Sequence, residues 1–258
     1  MDKNQRLKSI INLLEVKKVV NIKELMKRLG VTEMTIRRDL SILKDDMIVD
    51  LIPGGAILKS YTDSEEVYEN YLITHAETKR IREKARIGHK AASLIEPNDT
   101  VAIDVGSTTE YVAKFIHEDM PILILCYGLN ILVEIYRKKN CSPIFAGGYF
   151  HDDSMMFESR EGIDLIKRIR ADKAFISAAG VHSNFGVTTV NNYEIDAKQA
   201  VLRSSKTKIL ITDSTKFGKT RMAYFAELQD FDMIITDSEI SEEYRSIIGD
   251  LGIELVVV

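Results

Sequence analysis

The stretch VTEMTIRRDL, Val31–Leu40, decides the architecture of the first part of this chain. Ile36, Leu40 and Leu43 are spaced four and three residues apart, so they form one apolar stripe along a helix. The residues between them are mostly polar, and they include an arginine pair. The stretch therefore predicts a helix with one buried face and one face that carries positive charge.

Two more helices are predicted before this stretch. Apolar residues at helical spacing indicate a first helix from Lys3 to Val16. Asn21 is a good cap for a second, shorter helix, which Gly30 ends in a left-handed conformation, and Thr32 caps the third. Two short helices joined by a glycine turn, with a basic second helix, predict a helix-turn-helix whose recognition helix enters the major groove of DNA.

The polar residues of this unit suit two kinds of DNA contact. Thr35 and Arg38 lie near the N-terminal end of the recognition helix, where base edges are reached. Lys27, Arg37 and the hydroxyl of Thr32 suit contacts with phosphates. The alternative interpretation is a helical hairpin whose basic face is only solvated.

The distribution of charge supports DNA binding. The 258 residues have a net charge of -4, but residues 1–44 carry 11 Lys and Arg against 5 Asp and Glu, and the remainder carries 24 against 34. A basic segment joined to a larger acidic one favours a polyanion-binding domain. No apolar run reaches the roughly 18 residues of a membrane span, and the N-terminus lacks the apolar core of a signal peptide, so we expect a cytoplasmic protein without a membrane partner.

A β-hairpin wing is predicted after the helices, because two apolar runs flank Pro53, Gly54 and Gly55 in MIVDLIPGGAILK. TIRRDL followed by GGA resembles the N-terminal signature of the DeoR family of bacterial transcriptional regulators. Leu51 and Pro53 stand where members of that family commonly carry an Arg and a His. The resemblance implies a winged helix-turn-helix that binds operator DNA.

The rest of the chain has a different pattern. Residues 57–78 are polar and acidic with few periodic apolar positions, which predicts a linker that includes some helix. Short apolar runs such as VAID, ILILC and KAFISA then alternate with helical segments, as in a parallel sheet covered by helices on both faces. The predicted division is residues 1–56 for the winged helix-turn-helix, 57–78 for the linker and 79–258 for a Rossmann-like α/β domain.

The loops after the predicted strands suit a small phosphorylated ligand, because ligands of such sheets bind beyond the carboxyl ends of the strands. The loop Asp104–Thr109 reads DVGSTT, and its N–H groups and hydroxyls would converge on a phosphate, with plain helix capping as the alternative. Lys216 adds a cation, and Asp104 with Asp213 could accept sugar hydroxyls. The expected effector-binding residues from these loops are Asp104, Gly106, Ser107, Thr108, Thr109, Tyr127, Gly128, Gly148, Asp213 and Lys216.

The motifs of the α/β domain extend the resemblance over nearly the whole chain. DVGSTT, CYGLN, AGG, DKAF and DSTKFG occur in the order of the sensor-domain motifs of the DeoR family. The combination CYGLN, FAGGYFH and SAAGVH is most similar to family members that control deoxyribonucleoside operons. The resemblance implies a repressor of a sugar or nucleoside catabolic operon that a phosphorylated sugar releases, with deoxyribose 5-phosphate as the best candidate.

A sugar-phosphate isomerase is the alternative function, because the sensor domain of the family is similar to those enzymes. They carry DGAD and KGGG motifs, whereas Asp172–Phe175 reads DKAF and no KGGG occurs. Proton transfer needs a base at the sugar carbon, and Phe175 replaces the expected carboxylate. We therefore expect no catalytic residues and no enzyme, with Glu194 and Lys198 retained as ligand contacts.

Cofactors and metals are not expected. A dinucleotide-binding redox sensor should show GxGxxG after its first strand, and VAIDVGSTT does not. His151, Asp152 and Asp153 could bind a metal, but a solvated loop explains them more simply, and Cys126 and Cys141 lack metal-type spacing. The expected partners are double-stranded operator DNA, a sugar phosphate and further copies of the chain, because a symmetric operator requires at least a dimer.

Overall fold

The computed structural model describes residues 3–17, 19–45, 48–52, 54–58 and 80–258. The chain divides into two compact units, Met1–Asn70 and Tyr71–Val258. Pro53 of the predicted wing and residues 59–78 of the predicted linker lie outside the described residues. Within the described residues, no helix combines the length and the apolar composition needed to cross a membrane.

The described part of the first unit contains three helices and a small antiparallel sheet. The elements are α1 (Lys3–Lys17), β1 (Val19–Asn21), α2 (Ile22–Leu29), α3 (Glu33–Asp45), β2 (Val49–Ile52) and β3 (Gly55–Leu58). Strand β3 pairs with both β1 and β2, so the strand order is β1-β3-β2. The predicted helix-turn-helix and hairpin wing are confirmed, whereas β1 was not predicted.

The turn between α2 and α3 has the predicted caps. The side chain of Asn21 accepts a hydrogen bond from the N–H group of Glu24 at 2.7 Å. Gly30 ends α2 with a φ of 66°, which glycine adopts without the steric cost of a side chain. Thr32 Oγ1 lies 3.4 Å from the N–H group of Thr35, so it begins α3 as expected. These residues fix the direction in which α3 leaves the turn.

One face of α3 is held against the core of the first unit. Ile36, Leu40 and Leu43 are buried, together with Ile10, Leu13, Leu14, Val20, Ile22, Leu25, Val49 and Ala56. Asp39, on the same face, is also buried, and its carboxylate accepts hydrogen bonds from the guanidinium group of Arg6 on α1. The core and this ion pair together determine which side of α3 faces outward.

The second unit is a seven-stranded parallel sheet between two layers of helices. The strands are β4 (Thr100–Ile103), β5 (Ile122–Cys126), β6 (Cys141–Phe145), β9 (Ala171–Ile176), β12 (Ser205–Ile211), β14 (Met233–Thr236) and β15 (Glu254–Val257). Among residues 80–258, three helices pack on one face: α4 (Ile81–Ala92), α5 (Thr109–Phe115) and α6 (Leu129–Ile135). Three pack on the other: α7 (Arg160–Arg168), α8 (Ile195–Ser204) and α9 (Glu242–Asp250).

The strand order of this sheet creates a crevice beside its central strand. The order is β15-β14-β12-β9-β4-β5-β6, and all neighbouring strands are parallel. The chain builds outward from β4 to β6, returns to the other side of β4 with β9, and builds outward again to β15. Ligands of such sheets bind where the order reverses, at the carboxyl ends of β4 and β9.

The described part of the second unit also contains two small antiparallel sheets. One is the hairpin of β7 (Tyr149–His151) and β8 (Met156–Glu158), and the other has β10 (Gly180–His182), β11 (Gly186–Thr189) and β13 (Ala223–Ala226) in that order. The predicted fold class is confirmed: an N-terminal winged helix-turn-helix and a C-terminal Rossmann-like α/β domain. The small sheets were not predicted, because strands of three or four residues carry too little periodicity.

Candidate functional site

A cavity lies at the reversal point of the sheet, where the loops after β4 and β9 separate. It encloses about 510 Å³, including space that is open to solvent. The lining residues are Lys84, Val105, Gly106, Ser107, Thr108, Ser154, Ser177, Ala178, Ala179, Thr189, Glu194, Asp213 and Lys216. Six of the predicted effector-binding residues are among them, namely Gly106, Ser107, Thr108, Glu194, Asp213 and Lys216.

The loop Gly106–Thr108 forms one wall of the cavity. A Cβ atom on Gly106 would lie 2.5 Å from Ser177 Oγ, so a glycine lets the loops after β4 and β9 approach each other. The hydroxyl of Thr109 donates to the carbonyl of Gly106 at 2.9 Å, and Thr109 is fully buried. Thr109 therefore holds the loop in shape, while Ser107 and Thr108 line the cavity.

Two lysines line the cavity with this loop. Lys84 of α4 is buried, and its Nζ atom donates to Ser107 Oγ at 2.9 Å. Lys216 ends the 3-10 turn Ser214–Lys216 that follows β12. Ammonium groups beside backbone N–H groups and hydroxyls favour an anion.

Lys84 was not among the predicted effector-binding residues, because it precedes β4 and belongs to no strand-end loop. Its position in the sequence nevertheless indicated a buried lysine. Lys84 lies three residues before Ile87 and seven before Ala91, on the face of α4 that packs on the sheet. A lysine on an apolar helix face indicates either a buried ion pair or a ligand contact.

Asp104 lies outside the cavity lining, and its carboxylate organises the surrounding loops. It accepts hydrogen bonds from the hydroxyl of Tyr127, from the N–H and hydroxyl groups of Ser177 at 2.9 and 2.8 Å, and from Lys198 Nζ at 2.5 Å. Asp104, Tyr127 and Lys198 are all fully buried. The structure thus brings these three predicted residues together behind the lining, where they connect β4, β5, β9 and α8.

Two carboxylates line the cavity together with the lysines. Glu194 accepts hydrogen bonds from Thr189 Oγ1 at 2.6 Å and Asn191 Nδ2 at 3.1 Å, and it lies 3.6 Å from Lys198 Nζ. Burial raises the pKa of Glu194, although Lys198 and the two hydrogen bonds oppose that shift. Asp213 caps the turn before Lys216. The cavity therefore offers cations for a phosphate and carboxylates that accept hydrogen bonds from hydroxyl groups.

The turn that carries Lys216 is supported by an arginine. The guanidinium group of Arg80 donates to Ser214 Oγ at 3.2 Å and to Asp237 Oδ1 at 3.0 Å. Burial opposes ionisation of Asp237, but hydrogen bonds from Ser214 and Glu239 and the charge of Arg80 outweigh it, so the pKa of Asp237 is lowered. Arg80, the residue before α4, thus links the start of that helix to a turn that lines the cavity.

The remaining predicted effector residues have other positions. Gly128 precedes α6 and Gly148 precedes β7, and neither lines the cavity.

Among the described residues, no group of three His, Cys, Asp or Glu side chains could hold a metal ion. His151 instead lies 3.1 Å from Glu158 and stacks on the ring of Tyr193.

The predicted DNA-contacting residues lie at the surface of the first unit. Lys27, Thr32, Arg37 and Arg38 are exposed, and Thr35 is partly exposed. The side chain of Arg37 forms an ion pair with Glu33 at 2.7 Å. The hydroxyls of Thr32 and Thr35 lie 3.0 Å apart. Cys126 and Cys141, in the second unit, are buried free thiols.

Comparison with known proteins identifies both units. The model of the DeoR-like helix-turn-helix domain matches residues 6–62, and that of the DeoR C terminal sensor domain matches residues 79–238. The deoxyribose operon repressor of Escherichia coli strain K12 is 33% identical over 216 residues, which are 84% of this chain and 83% of that protein. The HTH-type transcriptional regulator GolR of Listeria innocua is 30% identical over 98% of both chains.

A solved structure also resembles part of the chain. Ribose 5-phosphate isomerase from Plasmodium falciparum is 15% identical, with a TM-score of 0.38 over 52% of each chain. The similar curated proteins are named as transcriptional regulators and repressors, which confirms the expectation that this chain is not an enzyme. The chain belongs to the DeoR family of transcriptional regulators, with a DNA-binding helix-turn-helix domain followed by a sensor domain for a small molecule.

Proposed function

We propose that the protein represses a sugar or nucleoside catabolic operon and that a phosphorylated sugar in the cavity releases it from its operator. The observation that carries this proposal is the cavity itself. Lys84 and Lys216 line it together with the loop Gly106–Thr108, and Glu194 and Asp213 line it too. Cations suit the phosphate of such a ligand, and carboxylates suit its hydroxyls.

Deoxyribose 5-phosphate is the first candidate for the effector. The 33% identical relative from Escherichia coli is named a deoxyribose operon repressor, and its similarity covers most of both chains. The motifs CYGLN, FAGGYFH and SAAGVH favour the same class of ligand.

Release from DNA follows from a shift between two conformations of the protein. The sugar phosphate must bind better to the conformation that binds the operator poorly, with a coupling of about 1 to 3 kcal/mol. We propose that the protein acts as a dimer or higher oligomer in the cytoplasm, because symmetric operators present two half-sites. The working division is residues 1–56 for DNA binding, 57–78 for the linker and 79–258 for sensing.

A thermal-unfolding screen tests the effector. We expect deoxyribose 5-phosphate to raise the unfolding temperature, because a ligand that binds only the native state stabilises it. Free deoxyribose and inorganic phosphate are matched controls that each lack half of the ligand. A ligand from the screen is then added to a titration of operator DNA. The proposal is wrong if no sugar phosphate stabilises the protein or weakens its binding to the operator.

A further inference from the structure

Met34 is the most exposed large hydrophobic side chain among the described residues, with 82% of its surface accessible. It lies in the first turn of α3, the recognition helix. A single exposed hydrophobic residue is common on protein surfaces, so its exposure alone indicates nothing. Its position relative to the rest of α3 is what makes it informative.

Met34 belongs to the outward face of α3. Met34, Arg37, Arg38 and Ser41 follow one another at intervals of three, one and three residues, which places them on one side of a helix. All four are exposed, whereas Ile36, Leu40 and Leu43 are buried in the core. The buried ion pair between Arg6 and Asp39 holds the helix in this orientation. The sulphur-containing side chain therefore points away from the core with Arg38.

The polar neighbours of Met34 interact with one another. Glu33 pairs with Arg37, and the hydroxyls of Thr32 and Thr35 lie within hydrogen-bonding distance. Met34 is thus an apolar side chain on a face that is otherwise polar or basic. In the major groove, the apolar group that a base pair offers to such a side chain is the C5-methyl group of thymine.

We propose that Met34 contacts a thymine methyl group in the operator and thereby determines one position of its sequence. The inference rests on operator binding by α3. It assigns Met34 a different role from Arg38, whose guanidinium suits the hydrogen-bonding edge of guanine. The contact selects thymine over cytosine because cytosine lacks the methyl group.

The test compares thymine with uracil, which lacks only the C5-methyl group. The full-length protein first selects its preferred duplex from a pool of random sequences. Each thymine of that duplex is then replaced singly by uracil, and dissociation constants are measured for wild type and Met34→Ala at one salt concentration. Met222→Ala, which removes an exposed methionine from the sensor domain, is the matched control.

In each half-site, we expect one thymine whose replacement by uracil weakens DNA binding by the wild type about fourfold. This is the usual effect of one buried methyl group. Met34→Ala should bind the thymine and uracil duplexes equally at that position, while Met222→Ala should behave as wild type. The proposal would be overturned if, at every thymine, the ratio of the dissociation constants for the uracil and thymine duplexes were the same for wild type and Met34→Ala. If the wild type enriches no sequence at all, operator binding itself is wrong, and this outcome is seen in the selection step before any uracil is introduced.

Discussion

The Nζ atom of Lys84 donates a hydrogen bond to Ser107 Oγ, so helix α4 reaches the loop that follows the central strand β4. We expect Lys84→Met to weaken the binding of deoxyribose 5-phosphate by one to two orders of magnitude. A hydrogen bond to a charged group contributes about 1.5 to 3 kcal/mol, and methionine keeps the length of the side chain without its charge. Isothermal titration calorimetry measures the loss. Lys90→Met, on the same helix but outside the lining, is the control, and equal affinity for both variants would exclude Lys84 as a ligand contact.

The double variant Thr108→Ala with Lys216→Ala separates sensing from DNA binding. It removes a hydroxyl and a cation from the cavity lining, and neither residue belongs to the first unit. We expect unchanged operator affinity without ligand and no release by deoxyribose 5-phosphate at concentrations that release the wild type. Operator titrations with and without the sugar phosphate provide the measurement. Release of the variant at the wild-type concentration would place the phosphate site elsewhere.

Replacing Arg38 and replacing Lys27 should have different effects on binding to operator DNA and to random DNA. Arg38→Ala is expected to lose about 1 to 3 kcal/mol of binding free energy on the operator and little on random DNA, because a base contact is sequence-specific. Lys27→Ala is expected to weaken binding to both DNAs about equally, because a phosphate contact does not depend on the sequence. Titrations of both variants on both duplexes decide the matter. The assignment of α3 as the reading helix fails if the two variants show the same pattern.

Asp237 predicts how the stability of the sensor domain responds to acid. Its pKa is lowered from the ordinary value of 3.8. A carboxyl group with a lowered pKa in the folded state stabilises the fold above its unfolded-state pKa, and this stabilisation is lost as the pH falls through the folded-state pKa. Asp237→Asn should therefore lower the free energy of unfolding by about 1 to 3 kcal/mol at pH 7.

The difference between Asp237→Asn and the wild type should shrink as the pH falls below 3.8, the ordinary pKa of the group. Chemical unfolding at a series of pH values measures it. Asp250→Asn, at an exposed carboxyl group near the end of α9, is the control. A difference between Asp237→Asn and wild type that stays constant at all pH values would mean that the ionised form of Asp237 does not stabilise the domain.

The helix-turn-helix was predictable because its signals are local. Asn21, Gly30 and Thr32 act within a few residues of their own position, and the stripe of Ile36, Leu40 and Leu43 follows the period of one helix. The fold of the sensor domain was predictable for a similar reason, since its buried strands are continuous apolar runs. The order of those strands depends on pairings between distant segments, such as β4 with β9, and no local pattern encodes it.

The cavity of the second unit was predictable only as a group of loops. Asp104 and Ser107 occur in the same loop, but Asp104 is enclosed by Tyr127, Ser177 and Lys198, whereas Ser107 lines the cavity. Which side chain of a loop reaches the cavity depends on the neighbouring loops in space. Sequence patterns identify the loop and leave that choice open.

The hydrophobic core of the first unit is drawn from a continuous stretch of chain between Ile10 and Ala56. The cavity of the second unit, in contrast, is lined by residues from Lys84 to Lys216. Domains fold as units while the ribosome synthesises the chain from its N-terminus, so the DNA-binding domain is complete about 160 residues before the last residue of the cavity. Each round of translation therefore passes through a nascent form that carries the folded helix-turn-helix and lacks part of the cavity lining.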